Sequence, residues 1–267
     1  MQPLGIRLGF GFLNAQAGFT IGDTPIPYQP SDSYWRALLV GLVNSLRVIL
    51  AGLVLATAIG VTAGIARLSD NWLVRNLALV YVETLRNTPL LLQLFFWYFA
   101  VFFSLPPADA PMTWLGWLSF SKSGVQLGDL RLSSEFSALL LGLAIYTATF
   151  IAEIVRGGIQ SVSKGQWEAA KSLGLKPGLV MALVVFPQAL RAIIPPLANQ
   201  YLNLAKNSSL AIAVGYPDLY AIASTTFNQT GRAVEVMLLI CATYLTISLL
   251  ISLLMNFYNR SVQFVER

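Results

Sequence analysis

Side chains able to do chemistry are sparse in this sequence and gather in a few places. Histidine is absent, and cysteine occurs once, as Cys241 inside the apolar run VMLLICATYL. Zinc or haem ligation by His and Cys, a disulfide within the chain, and Ser-His or Cys-His nucleophilic catalysis are therefore outside its repertoire. Cys241 reads as a small packing residue. There is no G-x-x-x-x-G-K-[ST] phosphate loop, and no cluster of carboxylates. The chain reads as neither an enzyme nor a carrier of metal or cofactor. What remains is charge at helical spacing. Glu83 with Arg86 and Glu153 with Arg156 stand three apart and can pair along a helix. Both pairs fall near the ends of apolar runs, where an ion escapes most of the burial penalty, so anchoring is favoured over solute contact.

Lys206 is different, because it lies deep in an apolar run, where a charge costs about 2.5 to 3.5 kcal/mol on insertion scales. Asn203, Asn207, Ser208 and Ser209 surround it. Two readings fit. The group is the wall of a polar path, with Gln93, Tyr146 and Arg47 as weaker neighbours, or it satisfies backbone freed by Pro195 and Pro196. A further polar stretch, SKGQWEAAKSLGLKPG, begins at Ser163. Ser163 and Gln166 have capping-box spacing, which predicts a helix from Lys164. Gly174 is placed to close it, and Pro177 stops simple continuation. The product is a helix of about ten residues, roughly 15 Å long, with Trp167, Ala170, Lys171 and Gly174 along one side. Those local features alone fit an ordinary connecting helix equally well.

The elements that must position these residues follow from composition. With 56% hydrophobic and 11% charged residues in 267, the chain is read as one all-α integral membrane domain of about five spans. Residues 1–34, rich in Gly, Pro and aromatics, form an extramembrane or interfacial arm; residues 35–260 form the membrane domain and 261–267 a tail. The spans are expected at Ala37–Ala66, from Thr88-Pro89 to Leu105, at Glu135–Arg156, at Ala192–Val214 broken by Pro195-Pro196, and at Ala233–Tyr258. Residues 67–89 read as a helix lying along the interface. Residues 106–134 and the stretch GYPDLYAIASTTFNQTGR read as loops. The net charge of +5 reports topology, not nucleic-acid binding. With the first turn inside, ten basic residues face the cytoplasm (Arg67, Arg75, Arg86, Arg156, Lys164, Lys171, Lys176, Arg191, Arg260, Arg267) against five outside (Arg7, Arg36, Lys122, Arg131, Arg232). That bias places the N-terminus outside and the C-terminus in the cytoplasm.

A longer pattern gives the polar stretch a context. Glu168-Ala169-Ala170, three residues, Gly174, nine residues, Val184, one residue and Phe186-Pro187 resembles the EAA loop of ATP-binding-cassette (ABC) importer permeases, with Val184 and Phe186 as apolar exchanges for the consensus Ile and Leu. The stretches TLRNTPLLLQLFFWYF, TATFIAEIVRGGIQSVSKGQWEAA and PQALRAIIPPLANQYLNLAKNSSLA resemble the polar amino-acid uptake permeases. FLNAQAGFTIGDTPIPYQPSDSYWRALLVGLVNSLRV and AVGYPDLYAIASTTFNQTG resemble the general L-amino-acid branch, longer members of which carry a further hydrophobic helix ahead of the arm. The resemblance covers nearly the whole chain.

It implies a type I ABC importer permease fold in a bacterial inner membrane and a role as the transmembrane subunit of an ATP-driven importer of L-amino acids. It also implies a coupling loop at 161–187, in which Trp167, Glu168, Ala169, Ala170, Gly174 and Pro187 meet an ATPase. The implied partners are two ABC ATPase subunits, a second permease (a homologous chain or another copy) and an outer amino-acid-binding protein. A self-contained secondary transporter or channel is the other class weighed. Such proteins show paired broken helices or inverted repeats, whereas only the fourth span here reads as broken.

Overall fold

In the computed structural model, residues 9–114 and 116–263 are described. Four of their helices are long and apolar enough to cross a membrane: α1 (Tyr34–Ala66), α4 (Ser134–Gln160), the run Pro177–Val214, and α9 (Ala233–Val262). A bent pair, α2 (Trp72–Arg86) and the helical run Leu90–Ser104, which meet at 106°, is apolar enough together to be a fifth candidate. Of that run, α3 is Leu90–Phe95; a π-helical turn at Phe96–Val101 and a 3-10 turn at Phe102–Ser104 complete it. Asn71 caps α2 by accepting from Leu73 and Val74.

Two expectations are corrected at the bend and in the fourth span. The pair Thr88-Pro89 at the expected span start reads as an N-cap followed by a proline at the first helical position, but Thr88 does not cap α3; its hydroxyl donates back to Thr84 O at 2.8 Å. Gln93, buried here, donates through Nε2 to Leu85 O and Thr88 O, satisfying carbonyls that α2 leaves open where the chain turns. Pro195 and Pro196 do not break the fourth span either. The run Pro177–Val214 comprises α6 (Pro177–Leu179), a π-helical stretch at Val180–Val185, α7 (Phe186–Asn207) and a 3-10 stretch at Ser208–Val214. Both prolines lie inside α7; each removes only one amide donor from a long helix, and the change of helix type comes at Ser208.

The two stretches read as loops carry structure. After the bent pair, β1 (Met112–Trp114), β2 (Leu118–Ser121), β3 (Gly124–Leu127) and β4 (Leu130–Ser133) form an antiparallel meander in chain order. Gly128, with φ 58°, makes the turn between β3 and β4 with Asp129. After the 3-10 stretch, α8 (Leu219–Thr230) is capped at its start by Asp218 and ended by Gly231 at φ 68°.

The chain divides into two compact units. The first comprises residues 1–51, 94–141 and 206–246. Its core joins Ala17 of the arm, Tyr34, Ala37 and Leu38 of α1, Leu219, Ile222 and Ala223 of α8, and Val236 of α9, with Phe12, Phe19, Ile21 and Tyr28 packed against it. The arm is therefore folded onto helices by aromatic burial. The second unit comprises residues 52–93, 142–205 and 247–267. Here small residues set the packing. A Cβ on Gly60 would lie 2.6 Å from Ile151 Cβ and 2.9 Å from Ala148 O, and one on Gly64 would lie 2.6 Å from Ala152 O. The second half of α1 thus lies against α4 at a spacing only glycine allows.

Candidate functional site

The polar stretch after α4 folds into α5 (Lys164–Ser172), beginning at the predicted residue. Its start is not held by the predicted capping box. Ser163 has the extended N-cap conformation but makes no side-chain cap bond, and Gln166 Oε1 instead accepts from Gln188 Nε2 of α7 at 3.2 Å. Its end is a complete Schellman closure: Gly174, at φ 74°, donates to Lys171 O, and Leu175 donates to Ala170 O. Ala170 is buried, Trp167 half-buried, and Glu168, Ala169 and Gly174 exposed. Leu173 leaves 80% of its surface uncovered. The helix is held from one side by α7 and the π-helical stretch, and it presents a carboxylate, a methyl group and a leucine outward. Pro187 sits in the first turn of α7 and is exposed.

Within the second unit, charges at the end of α1 meet α2 and α4. Arg67 pairs with Glu153 and reaches Glu83 at 3.8 Å, while Arg156 Nη2 donates to Glu153 Oε2 at 2.8 Å. The expected Glu153–Arg156 pair forms. The expected Glu83–Arg86 pair does not: the Arg86 guanidinium lies 5.5 Å over the Phe150 ring, and Glu83 faces Arg67. Arg67 carries no local signature in the sequence, because its partners lie far along the chain.

In α7, Asn199, Asn203 and Lys206 are all exposed, and their spacing of four and three residues puts them on one stripe of the helix. Ser208 is buried and Asn207 half-buried. Tyr146 is half-buried, with its ring 5.1 Å from Phe150. The amide nitrogen of Gln93 is committed to the bend, while its Oε1 is buried with no hydrogen-bond partner among the described residues.

Arg47 is fixed within the first unit. Nη1 donates to Asp23 of the arm at 3.0 Å and to Asn44 Oδ1 at 3.3 Å, and the guanidinium lies over Phe136. Buried Asn44 donates to Asp23 O and Pro217 O. Ser45 Oγ accepts from Leu219 N at 3.0 Å, and a Cβ on Gly41 would come within 3.0 Å of Asp218 O. One turn of α1 therefore grips both the arm and the start of α8. Asp218, 1% exposed, accepts from Ala221 N and from Tyr244 Oη. Burial pushes its carboxyl up to about 7 against the pull of those bonds. Asp23 and Asp218 were not singled out by sequence; the cap spacing from Asp218 to Gly231 was the available signal.

The helical spans, the bent pair and the short helix α5 outside the spans define a membrane permease of the type I ABC importer class. The chain matches, over residues 49–264, the family described as "Binding-protein-dependent transport system inner membrane component", and it belongs to that family. Members are permease subunits of ABC importers; ATP hydrolysis lies in separate subunits, and a binding protein is the further partner the family implies. The chain is 40% identical to the putative amino-acid ABC transporter permease protein YhdX of Escherichia coli (strain K12), covering 98% of this chain and 87% of that one. It is 41% identical to the general L-amino acid transport system permease protein AapQ of Rhizobium johnstonii, covering 97% and 84%. A solved structure described as "Crystal structure of an amino acid ABC transporter with histidines" superposes with a TM-score of 0.68 at 28% identity, covering 85% of this chain and 95% of that one.

Proposed function

We propose that this chain is the transmembrane subunit of an ATP-driven importer of L-amino acids, with its N-terminus outside and its C-terminus in the cytoplasm. It works with a second permease (a homologous chain or another copy), two ATPases and an outer amino-acid-binding protein. The amino-acid names of its relatives and the basic-residue bias support this reading. The observation that carries it is the outward face of α5. A nine-residue helix, closed by a Schellman turn and braced by α7, exposes Glu168, Ala169 and Leu173. A short rigid element of this kind can pass closure of an ATPase to the spans as a rigid-body movement. Trp167 and Ala170 seat it on its own subunit, Gly174 fixes where it ends, Pro187 marks the start of α7 behind it, and Glu168 supplies a polar anchor.

The uncovered stripe Asn199–Asn203–Lys206 supports a polar path along α7, since such groups facing lipid would be strongly disfavoured. Asn207, Ser208, Gln93, Tyr146 and Arg47 are assigned lesser parts in that path. The test is uptake of labelled L-amino acids into vesicles carrying the whole complex. Uptake requires ATP, and Glu168→Lys or Gly174→Trp leaves insertion intact while it uncouples hydrolysis from transport or loosens the ATPase. Uptake driven by an ion gradient alone, or normal coupling in both variants, defeats the proposal.

A further inference from the structure

The meander has two chemically different faces. Alternation along β2, β3 and β4 puts Leu118, Phe120, Val125, Leu127, Leu130 and Leu132 on one side. The other side carries two polar rows across the strands: Ser119, Gln126 and Arg131, then Ser121, Gly124 and Ser133. Gly124 has φ 121°, and a Cβ there would lie 2.0 Å from Leu132 O. No side chain can therefore fill the middle of the second row. Gly22 and Asp23 of the arm, with Ala108 and Pro111, border this polar face and complete a cavity of about 390 Å³, within the about 300 to 1,000 Å³ typical of small-molecule sites.

Its charges are arranged for a ligand carrying both signs. Arg131 has no carboxylate within ion-pair distance among the described residues. Asp23 gives Oδ1 to Arg47 and leaves Oδ2 with a single long contact, 3.4 Å from Ser133 Oγ. Arg131 and Ser133 are next but one along β4, so the guanidinium row and the Asp23 row are about 7 Å apart. A carboxylate and an ammonium on one carbon, each extended by one hydrogen bond, span about that distance. Ser119, Ser121, Ser123 and Gln126 line the remainder, with the Ser121 and Ser123 hydroxyls bonded to each other at 2.7 Å and Gln126 Nε2 donating to Gly128 O. A second cavity of about 500 Å³ shares the wall Gly22–Asp23–Ser133 and is lined further on by Glu135, Gly215, Pro217 and Thr225. The Asp23 segment is thus the partition between the meander cavity and one that reaches the start of α8.

We propose that the polar face of the meander and Gly22–Asp23 of the arm form an accessory site for a free L-amino acid, with Arg131 holding the α-carboxylate and Asp23 the α-ammonium. The proposal rests on the amino-acid importer reading with the arm outside, and it adds a place where the solute dwells before entering the spans. The test is equilibrium dialysis of the whole complex in nanodiscs, without nucleotide or binding protein, against labelled L-glutamate, L-glutamine and L-arginine. Saturable binding is expected. Arg131→Gln, an exposed change, weakens it about tenfold, Ser119→Trp abolishes it by filling the cavity, and α-amide or N-acetyl derivatives fail to compete. No saturable binding, or binding indifferent to both variants and to blocking the α-groups, overturns the site. ATP-driven uptake by the same complex reconstituted in sealed vesicles, with the binding protein added, separates the two readings. Intact uptake with no such binding refutes the site alone, whereas no uptake of any L-amino acid refutes the importer.

Discussion

Three glycines on α1 face the same substitution with opposite expected results. Replacing glycine by alanine inside a helix is worth about 1 kcal/mol of backbone propensity, so Gly52→Ala, Gly60→Ala and Gly64→Ala all start with that gain. At Gly52 the added methyl meets only the Leu204 side chain, with Cδ2 at 3.3 Å and Cδ1 at 3.4 Å, the far end of a flexible group that a small rotation moves aside. At Gly60 it meets Ile151 Cβ at 2.6 Å and Ala148 O at 2.9 Å, and at Gly64 it meets Ala152 O at 2.6 Å and Val155 Cβ at 2.9 Å. Those partners are backbone or the root of a branched side chain and cannot swing away. Ordinary contact requires α1 and α4 to separate by somewhat under 1 Å, a displacement that forfeits a quarter to a half of the dispersion well for each atom pair. Overpacking of this kind costs about 1 to 3 kcal/mol, which exceeds the propensity gain. Thermal unfolding of the purified complex, followed by tryptophan fluorescence, should rank Gly52→Ala at or above the parent and the other two below it by several degrees. Equal or raised melting temperatures for Gly60→Ala and Gly64→Ala would refute the argument that steric closeness dominates this packing.

Other expectations are independent of that one. Glu153→Gln leaves Arg67 and Arg156 facing a neutral amide, with the Arg67 side chain only 13% exposed, and should lower stability by about 1 to 3 kcal/mol; an unchanged melting temperature contradicts the network. Asp218 is an acid whose carboxyl is held near 7 in the fold against 3.8 ordinarily. The folded state therefore keeps a proton that the unfolded chain releases, and stability is full below about pH 4 and declines as pH rises towards 7, by up to about 4 kcal/mol. Asp218→Asn should flatten that slope in melting curves taken between pH 4 and 8, and a slope surviving the change would remove the carboxyl as its source. Lys206→Ala should alter transport rate or affinity while assembly persists; unchanged kinetics in reconstituted vesicles would take Lys206 out of the path.

How far the sequence could be read depended on whether a signal was local. Long apolar runs gave the spans, because hydrophobic length is written residue by residue. Gly174 was legible as a helix terminator, since a left-handed closure leaves glycine little competition. The meander was not: its alternation in LSFS, GVQL and LRLS is only four residues per strand, and prolines, glycines and charges around it mimic a loop. Arg67 with Glu153, Asp23 with Arg47 and Asn44 with Pro217 are pairs between distant segments, and no spacing rule announces them. Ser163 shows the converse, a local motif overridden when Gln188 took the glutamine that the cap would have used.

The uncovered stripe on α7 bears on the life of the subunit before it is assembled. Asn199, Asn203 and Lys206 are open on this chain. A newly inserted copy with nothing against that stripe is a poor solute for hydrocarbon. Such a copy should therefore be shorter-lived in the membrane than one whose stripe is covered, a difference that pulse-chase labelling of this subunit expressed alone and with its partners would read.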